Sequence, residues 1–267
     1  MQSTLNFSDL LRLIDERSNA FRATVAAAPS LDVQVPTCPE WTLFDLAQHL
    51  GEGRRAWAAT IAAGPDAADK SAPRGEPAAP REREALLAWL AASTQQLLDA
   101  LQEAGPDRGC WAWWGKSQSP RTCGGAARRQ LHEMAVHTYD AQLAVGAPQP
   151  LPDEVALDGV EEFLSTFCTT TVAWPHEPAA VDYHVAEGRS WRNWLSDDGA
   201  RVARLPSPGA TPADAPADED PDAADASARG RASDLVLAFY GRIPLDSLKL
   251  DGSRLLFDQL MDWDPEP

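Results

Sequence analysis

The sequence predicts an α+β protein, an N-terminal four-helix bundle followed by a small α/β C-terminal domain. Three observations predict this class. Apolar residues recur at spacings of three and four through four long segments before residue 146. After Pro178 the pattern changes to the alternation of a strand, first in Val181-Asp-Tyr-His-Val-Ala186. A chain of 267 residues that is 44% hydrophobic has material for two cores.

The elements follow in order. Residues from about 7 to 28 place Leu10, Leu11, Ile14, Phe21 and Val25 on one stripe of a first helix. Pro36 and Pro39 break the chain. Thr42 and Asp45 then form a capping-box pattern, with Asp in place of the usual Glu, at the start of a second helix to about 63. It carries Phe44, Leu46, His49, Leu50 and Trp57. Residues 64–80, rich in Ala, Pro and charge, read as a loop. A third helix, about 81 to 104, ends at Gly105-Pro106. The irregular segment Cys110-Trp-Ala-Trp-Trp-Gly115 leads to a fourth helix, about 122 to 146, closed by Gly146 and Pro148. Helices of similar length with short or medium loops suggest an antiparallel bundle. A fifth helix near 153 to 170 completes a first domain over residues 1–175.

The second domain, residues 176–267, begins with the strand at Val181. Trp191 to Leu195 and Ala200 to Leu205 are further strand candidates, joined through the turn signal Asp197-Asp-Gly199. Residues 206–230 are rich in Pro, Ala and Asp and hold Asp214, Asp218, Glu219, Asp220, Asp222 and Asp225. The reading there is a disordered acidic insertion. Ser233 to Gly241 reads as a helix with Ser233 as N-cap and a glycine at its end. Leu245 to Leu250 is a strand candidate, and Leu255 to Met261 a last helix.

Composition narrows the function. With 40 acidic and 23 basic residues the net charge is -17, which repels nucleic-acid phosphates and anionic membranes, so neither is expected as a partner. No apolar run reaches the roughly 18 to 20 residues that span a bilayer, and Met1-Gln-Ser-Thr-Leu-Asn-Phe-Ser-Asp does not look like a secretory leader. The four cysteines, at 38, 110, 123 and 168, form no Cys-x-x-Cys pair. Free thiols in a reducing cytoplasm are expected. Cys123, near a helix start without an evident partner, reads as an inert thiol. Basic charge carried almost wholly by arginine, with abundant Ala, Pro, Asp and Gly, points to a host of high GC content.

The chemistry-bearing residues lie on the second and fourth helices. Glu133 and His137, four apart, share one face of the fourth, and His49 lies beside Leu46 and Leu50 on the second. Three such ligands would leave an open position on a metal, as catalytic zinc requires. A Glu and a His four apart also arise by chance on a wet helix face, so the spacing alone leaves both readings open. His132-Glu133 with His137 is one residue too long for the zinc-protease motif.

The stretch Cys38-Pro-Glu-Trp-Thr-Leu-Phe-Asp-Leu-Ala-Gln-His-Leu50, followed by Arg129-x-x-x-Glu133-x-x-x-His137-x-x-Asp140, resembles the mycothiol-dependent maleylpyruvate isomerase family. That family belongs to the wider group of DinB-like metal-binding bundles. The segment from Gly230 to Pro244 is similar to the family's second domain, a small α/β unit akin to sterol carrier proteins. The resemblance implies a divalent metal, usually zinc, on His49, Glu133 and His137, and mycothiol, the small thiol of actinobacteria, as cosubstrate. It implies a thiolate used for cis–trans isomerisation of a small electrophile or for S-transfer to it. Arg242 is the candidate for a substrate anion, or else an ordinary helix-end arginine. Asp140 either holds His137, binds thiol hydroxyls or is simply solvated. Trp113 and Trp114 either roof a thiol and substrate pocket or pack between elements. Arg129 either contacts the cosubstrate or pairs with Glu133. A non-catalytic metal or ligand-binding protein and a thiol-independent zinc hydrolase are the rival readings, and either a monomer or a homodimer is compatible with the sequence.

Overall fold

A computed structural model describes residues 5–67, 78–206, 224–263 and 265. The chain divides into two compact units. One comprises Leu5–Trp113 and Pro120–Val155, and the other Trp114–Ser119 and the chain from Ala156 onward.

The first unit is a bundle of four helices: α1 (Phe7–Ala27), α2 (Leu43–Ala63), α3 (Arg83–Ala104) and α4 (Cys123–Ala144). Local chemistry explains their starts. Asn6 caps α1 by accepting from the Asp9 N–H at 3.0 Å. Thr42 and Asp45 cap α2 reciprocally, the predicted box with Asp as the second member. Gly105 ends α3 with φ of 73°, a conformation that favours glycine. Phe21, Val25, Leu43, Phe44, Leu46, Leu50, Leu86, Trp89, Leu90 and Met134 interlock as the core. The periodicity that predicted the helices is therefore the packing surface of the bundle. Helix α4 differs: it is buried over most of its circumference, polar residues such as Arg128, Arg129, His132, His137 and Asp140 included.

The second unit is an α/β domain. Its five-stranded sheet runs β3 (Gly199–Arg204), β2 (Arg189–Ser196), β1 (Ala179–Val185), β4 (Ala226–Gly230), β5 (Lys249–Gly252). β1 pairs antiparallel with β2 and parallel with β4, and the outer pairs are antiparallel. Ser196 faces Gly199 across the β2–β3 hairpin, which leaves Asp197 and Asp198 as a two-residue loop; Gly199 takes φ of 110° there.

Helix α5 (Asp153–Phe167) begins at the division and lies mostly with the sheet. Phe163 stacks on Phe239 at 4.9 Å, and the Trp191 indole N–H donates to Glu161 at 3.4 Å. The sequence reading grouped this helix with the bundle and drew its boundary at residue 175. An amphipathic stripe has the same spacing whichever partner covers it, so periodicity does not assign a helix to a core.

Three readings of the second domain are corrected. Residues 226–230, read as part of the acidic insertion, form the strand β4. The helix after it, α6 (Ala232–Phe239), starts one residue before Ser233, so Ser233 is not its N-cap; the carboxylate of Glu187 receives the Ala232 N–H at 3.1 Å instead. Leu245–Ser247 is a single 3-10 turn, and only Lys249–Gly252 is strand. A last helix, α7 (Arg254–Asp262), follows as expected. The acidic residues at 214, 218, 219, 220 and 222, and most of the loop read at 64–80, lie outside the described residues.

Candidate metal centre

His49 comes from α2, and Glu133 and His137 from adjacent turns of α4. The capping box fixes where α2 begins, and Leu46 and Leu50 bury its face on either side of His49. On α4, Met134 and Ala141 join the bundle core beside the Glu133–His137 stripe. Each of the three residues offers one ligand atom, and those atoms lie within 4.8 Å of one another. Oε1 of Glu133 is 3.2 Å from Nε2 of His49 and 3.3 Å from Nε2 of His137. One carboxylate oxygen thus faces two imidazoles, an arrangement that could hold a single divalent ion.

The surroundings hold these atoms in place. Arg129, one turn before Glu133 and buried, donates to Oε2 of Glu133 at 3.0 Å. On the other side, Nδ1 of His137 lies 2.8 Å from Oδ2 of Asp140. A carboxylate only accepts, so Nδ1 carries the proton and Nε2 points at Glu133. Asp140 is fully buried, which excludes the reading of a solvated aspartate. Its other oxygen accepts from the Thr37 hydroxyl at 2.6 Å.

Charge follows from this geometry. Burial alone would raise the pKa of Glu133, but hydrogen bonds from His137 and His49 and the nearby charge of Arg129 hold it well below the usual carboxylate range. Burial alone would make His137 neutral, but its bonds to Asp140 and Glu133 raise its pKa above the ordinary imidazole value. The guanidinium of Arg54, pushed down to about 9 by burial, also bears on Glu133. Arg54 donates to Thr94 at 2.9 Å and touches the sulfur of Met134.

Sequence reasoning missed Thr37, Arg54 and the position of Trp41. The ring of Trp41 lies 4.8 Å from that of His49 and 6.3 Å from that of His137. The loop before α2 sets both Thr37 and Trp41. Cys38 donates to the Val35 carbonyl, Trp41 to the Cys38 carbonyl and Val35 to the Trp41 carbonyl, and the Gln34 amide closes on Pro39 and Trp41. The prolines were a visible signal of a turn, but not of its target.

The remaining predicted residues are distributed between the units. Trp113 is half-buried in the bundle unit, Trp114 is buried in the α/β unit, and Arg242 follows α6 in the α/β unit, donating to the Tyr240 carbonyl at 2.7 Å. Cys123 is buried, and burial raises its pKa despite the helix start, as expected of an inert thiol. Among the described residues no helix is long and apolar enough to cross a membrane.

The fold is thus a helical bundle that brings two imidazoles and a carboxylate to one point, joined to a small α/β domain. The comparisons with known proteins give the family. The profile of the mycothiol maleylpyruvate isomerase N-terminal domain matches residues 11–142, and that of the family's C-terminal domain matches residues 154–259. The chain belongs to the mycothiol maleylpyruvate isomerase family, a family of enzymes. Two crystal structures of mycothiol-dependent maleylpyruvate isomerase, one a histidine-to-alanine mutant, share its fold with TM-scores of 0.57 and 0.56. Each is 14% identical in sequence, and each likeness covers 100% of this chain and 99% of the other. No curated protein matches the chain by sequence.

Proposed function

We propose that the protein is a metal-dependent enzyme that uses mycothiol as a thiolate, for cis–trans isomerisation of a small electrophile or for S-transfer to it. The observation that carries this reading is the convergence of His49, Glu133 and His137 within 4.8 Å, in a chain of this family. Two imidazole nitrogens and a carboxylate oxygen fit zinc, and three protein ligands are the number catalytic zinc sites use. Zinc bound there would supply a position at which a thiol gives up its proton, and the thiolate is the nucleophilic form of sulfur.

The chain's own residues prepare that chemistry. With Nδ1 committed to Asp140, His137 has only Nε2 to offer an ion. Arg129 occupies Oε2 of Glu133 and so turns Oε1 toward the imidazoles. The side chains of His49 and Glu133 are 40% and 32% exposed, so the cluster is not sealed from solvent. Following the family resemblance, Arg242 binds an anionic group of the substrate and Trp113 contacts thiol or substrate, while the burial of Trp114 favours its packing role.

The test is the melting temperature of zinc-loaded protein with and without mycothiol, with His49→Ala as control. A ligand bound only by the folded state at 100 times its Kd adds roughly 2.7 kcal/mol. A rise in the wild type that vanishes in His49→Ala supports the reading; no rise at saturating mycothiol overturns the cosubstrate assignment. Maleylpyruvate and a panel of electrophiles, followed by isomer ratio and by the mass of thiol adducts, then separate isomerisation from S-transfer. Arg242→Ala should raise KM for carboxylate substrates and leave zinc affinity unchanged.

A further inference from the structure

We infer that Thr37 is a positioning residue for the metal centre, acting through Asp140 on His137; this rests on the reading that His49, Glu133 and His137 hold a metal. The contact crosses 103 positions of sequence and ties the loop before α2 to the last turns of α4. Its geometry is that of a relay with one direction. The Thr37 hydroxyl donates to Oδ1 of Asp140 at 2.6 Å, and Oδ2 of the same carboxylate accepts from Nδ1 of His137 at 2.8 Å. Nε2 of His137 then lies 3.3 Å from Glu133 on the ligand side.

The physical argument is one of orientation. Asp140 is completely buried, and a buried carboxylate is stable only when its oxygens are hydrogen-bonded. Its two oxygens belong to one rigid planar group, so whatever fixes Oδ1 also fixes the aim of Oδ2. Oδ2 in turn sets the tautomer and ring angle of His137. Groups behind a ligating histidine set its basicity and direction, and their loss commonly costs about 10- to 100-fold in metal affinity. Thr37 is itself held by its loop: the neighbouring Cys38 N–H bonds to the Val35 carbonyl, and the Trp41 N–H bonds to the Cys38 carbonyl. That same loop places Trp41 against the two imidazoles. The Thr37 hydroxyl gives its proton to Oδ1 of Asp140, a bond that a methyl group in its place cannot make.

The experiment measures zinc affinity by competition with a chromophoric chelator for wild type, Thr37→Val, Thr37→Ser and His49→Ala. Thr37→Val removes the donor and keeps the shape, and should bind zinc about tenfold more weakly. Thr37→Ser restores the donor and should bind as wild type does. Thr37→Val leaves a buried oxygen short of a donor and should lower the metal-free melting temperature by several degrees. Affinity is therefore measured well below both melting temperatures, where each protein is fully folded and a weaker affinity reports aiming and not folding. Equal affinity in wild type and Thr37→Val overturns the inference and leaves the metal site standing. Loss of affinity in Thr37→Ser equal to that in Thr37→Val also overturns it, because the hydroxyl would then not be the group at work. A wild type that binds zinc no better than His49→Ala overturns the metal reading itself, and this inference with it.

Discussion

The guanidinium of Arg129 donates to Oε2 of Glu133 at 3.0 Å, while Oε1 of the same carboxylate stands between the imidazoles of His49 and His137. One carboxylate therefore has one oxygen committed and one on offer. Replacing Arg129 by methionine frees Glu133 to rotate and removes a positive charge that keeps it ionised. Zinc affinity should fall by about tenfold, as for other groups that support a ligand. Chelator competition measures it; an unchanged affinity would show that Glu133 needs no such support.

The pH dependence has two parts of opposite sign. The pKa of His137 is raised above its ordinary 6.5, so in metal-free protein its bonds stabilise the fold below that pH and cease to do so as pH rises through the raised value. That of Glu133 is lowered below 4.5, so its contribution is present above 4.5 and is lost as pH falls through the lowered value. Zinc bound at this site would compete with the proton on Nε2 of His137. Its affinity should therefore climb with pH up to the raised pKa and level off above it, with a proton released on binding. Calorimetry in buffers of different ionisation enthalpy reads that proton directly. An affinity that does not vary with pH below the raised pKa would count against His137 as a ligand.

Trp41 should report on the site. Its ring is tilted at 43° to that of His49, 4.8 Å away, so an ion drawing on both imidazoles alters the indole's surroundings. Titration with zinc should change tryptophan emission. In Trp41→Phe most of the change should vanish, because the Trp41 ring lies against those of both His49 and His137. Retention of the full change in that variant would place its origin elsewhere.

Two glycines of α2 should respond oppositely to alanine. A Cβ at Gly51 would stand 1.9 Å from a ring carbon of Trp89, in the packed seam between α2 and α3. Gly51→Ala should destabilise by about 1 to 3 kcal/mol through overpacking. A Cβ at Gly53 meets no atom within 4 Å among the described residues. Gly53→Ala should stabilise by about 0.5 to 1 kcal/mol, the helix preference of alanine over glycine. Thermal or urea unfolding of the metal-free variants checks both, and a reversal of order would contradict the packing of α2 on α3.

Local chemistry made much of this molecule legible from sequence. The Thr42–Asp45 box marks the start of α2 because both partners lie within one turn. The Glu133–His137 pair is legible because helical geometry alone puts the two on one face. What escaped depends on distant contacts. Strand β4 reads Ala-Ser-Ala-Arg-Gly and holds no β-branched or aromatic residue. It is a strand because β1 and β5 flank it and take up its backbone groups. The start of α6 was misplaced because its first N–H is satisfied by Glu187, 45 positions earlier, and not by a neighbouring hydroxyl. Thr37 gave no local sign at all, since it lies in a loop and its partner is contributed by α4, 103 positions away.

The distance along the chain between the candidate ligands has a kinetic consequence. His49 and Glu133 are 84 positions apart, and neither meets the other until α2 and α4 have docked. Closing so long a loop carries an entropic cost that a loosely held ion in an unfolded chain does little to offset. An ion should therefore find its donors gathered only late in folding, after the barrier has been crossed. Zinc should leave the refolding rate nearly untouched and slow unfolding, so that it acts as a clasp on the finished bundle and not as a seed for it.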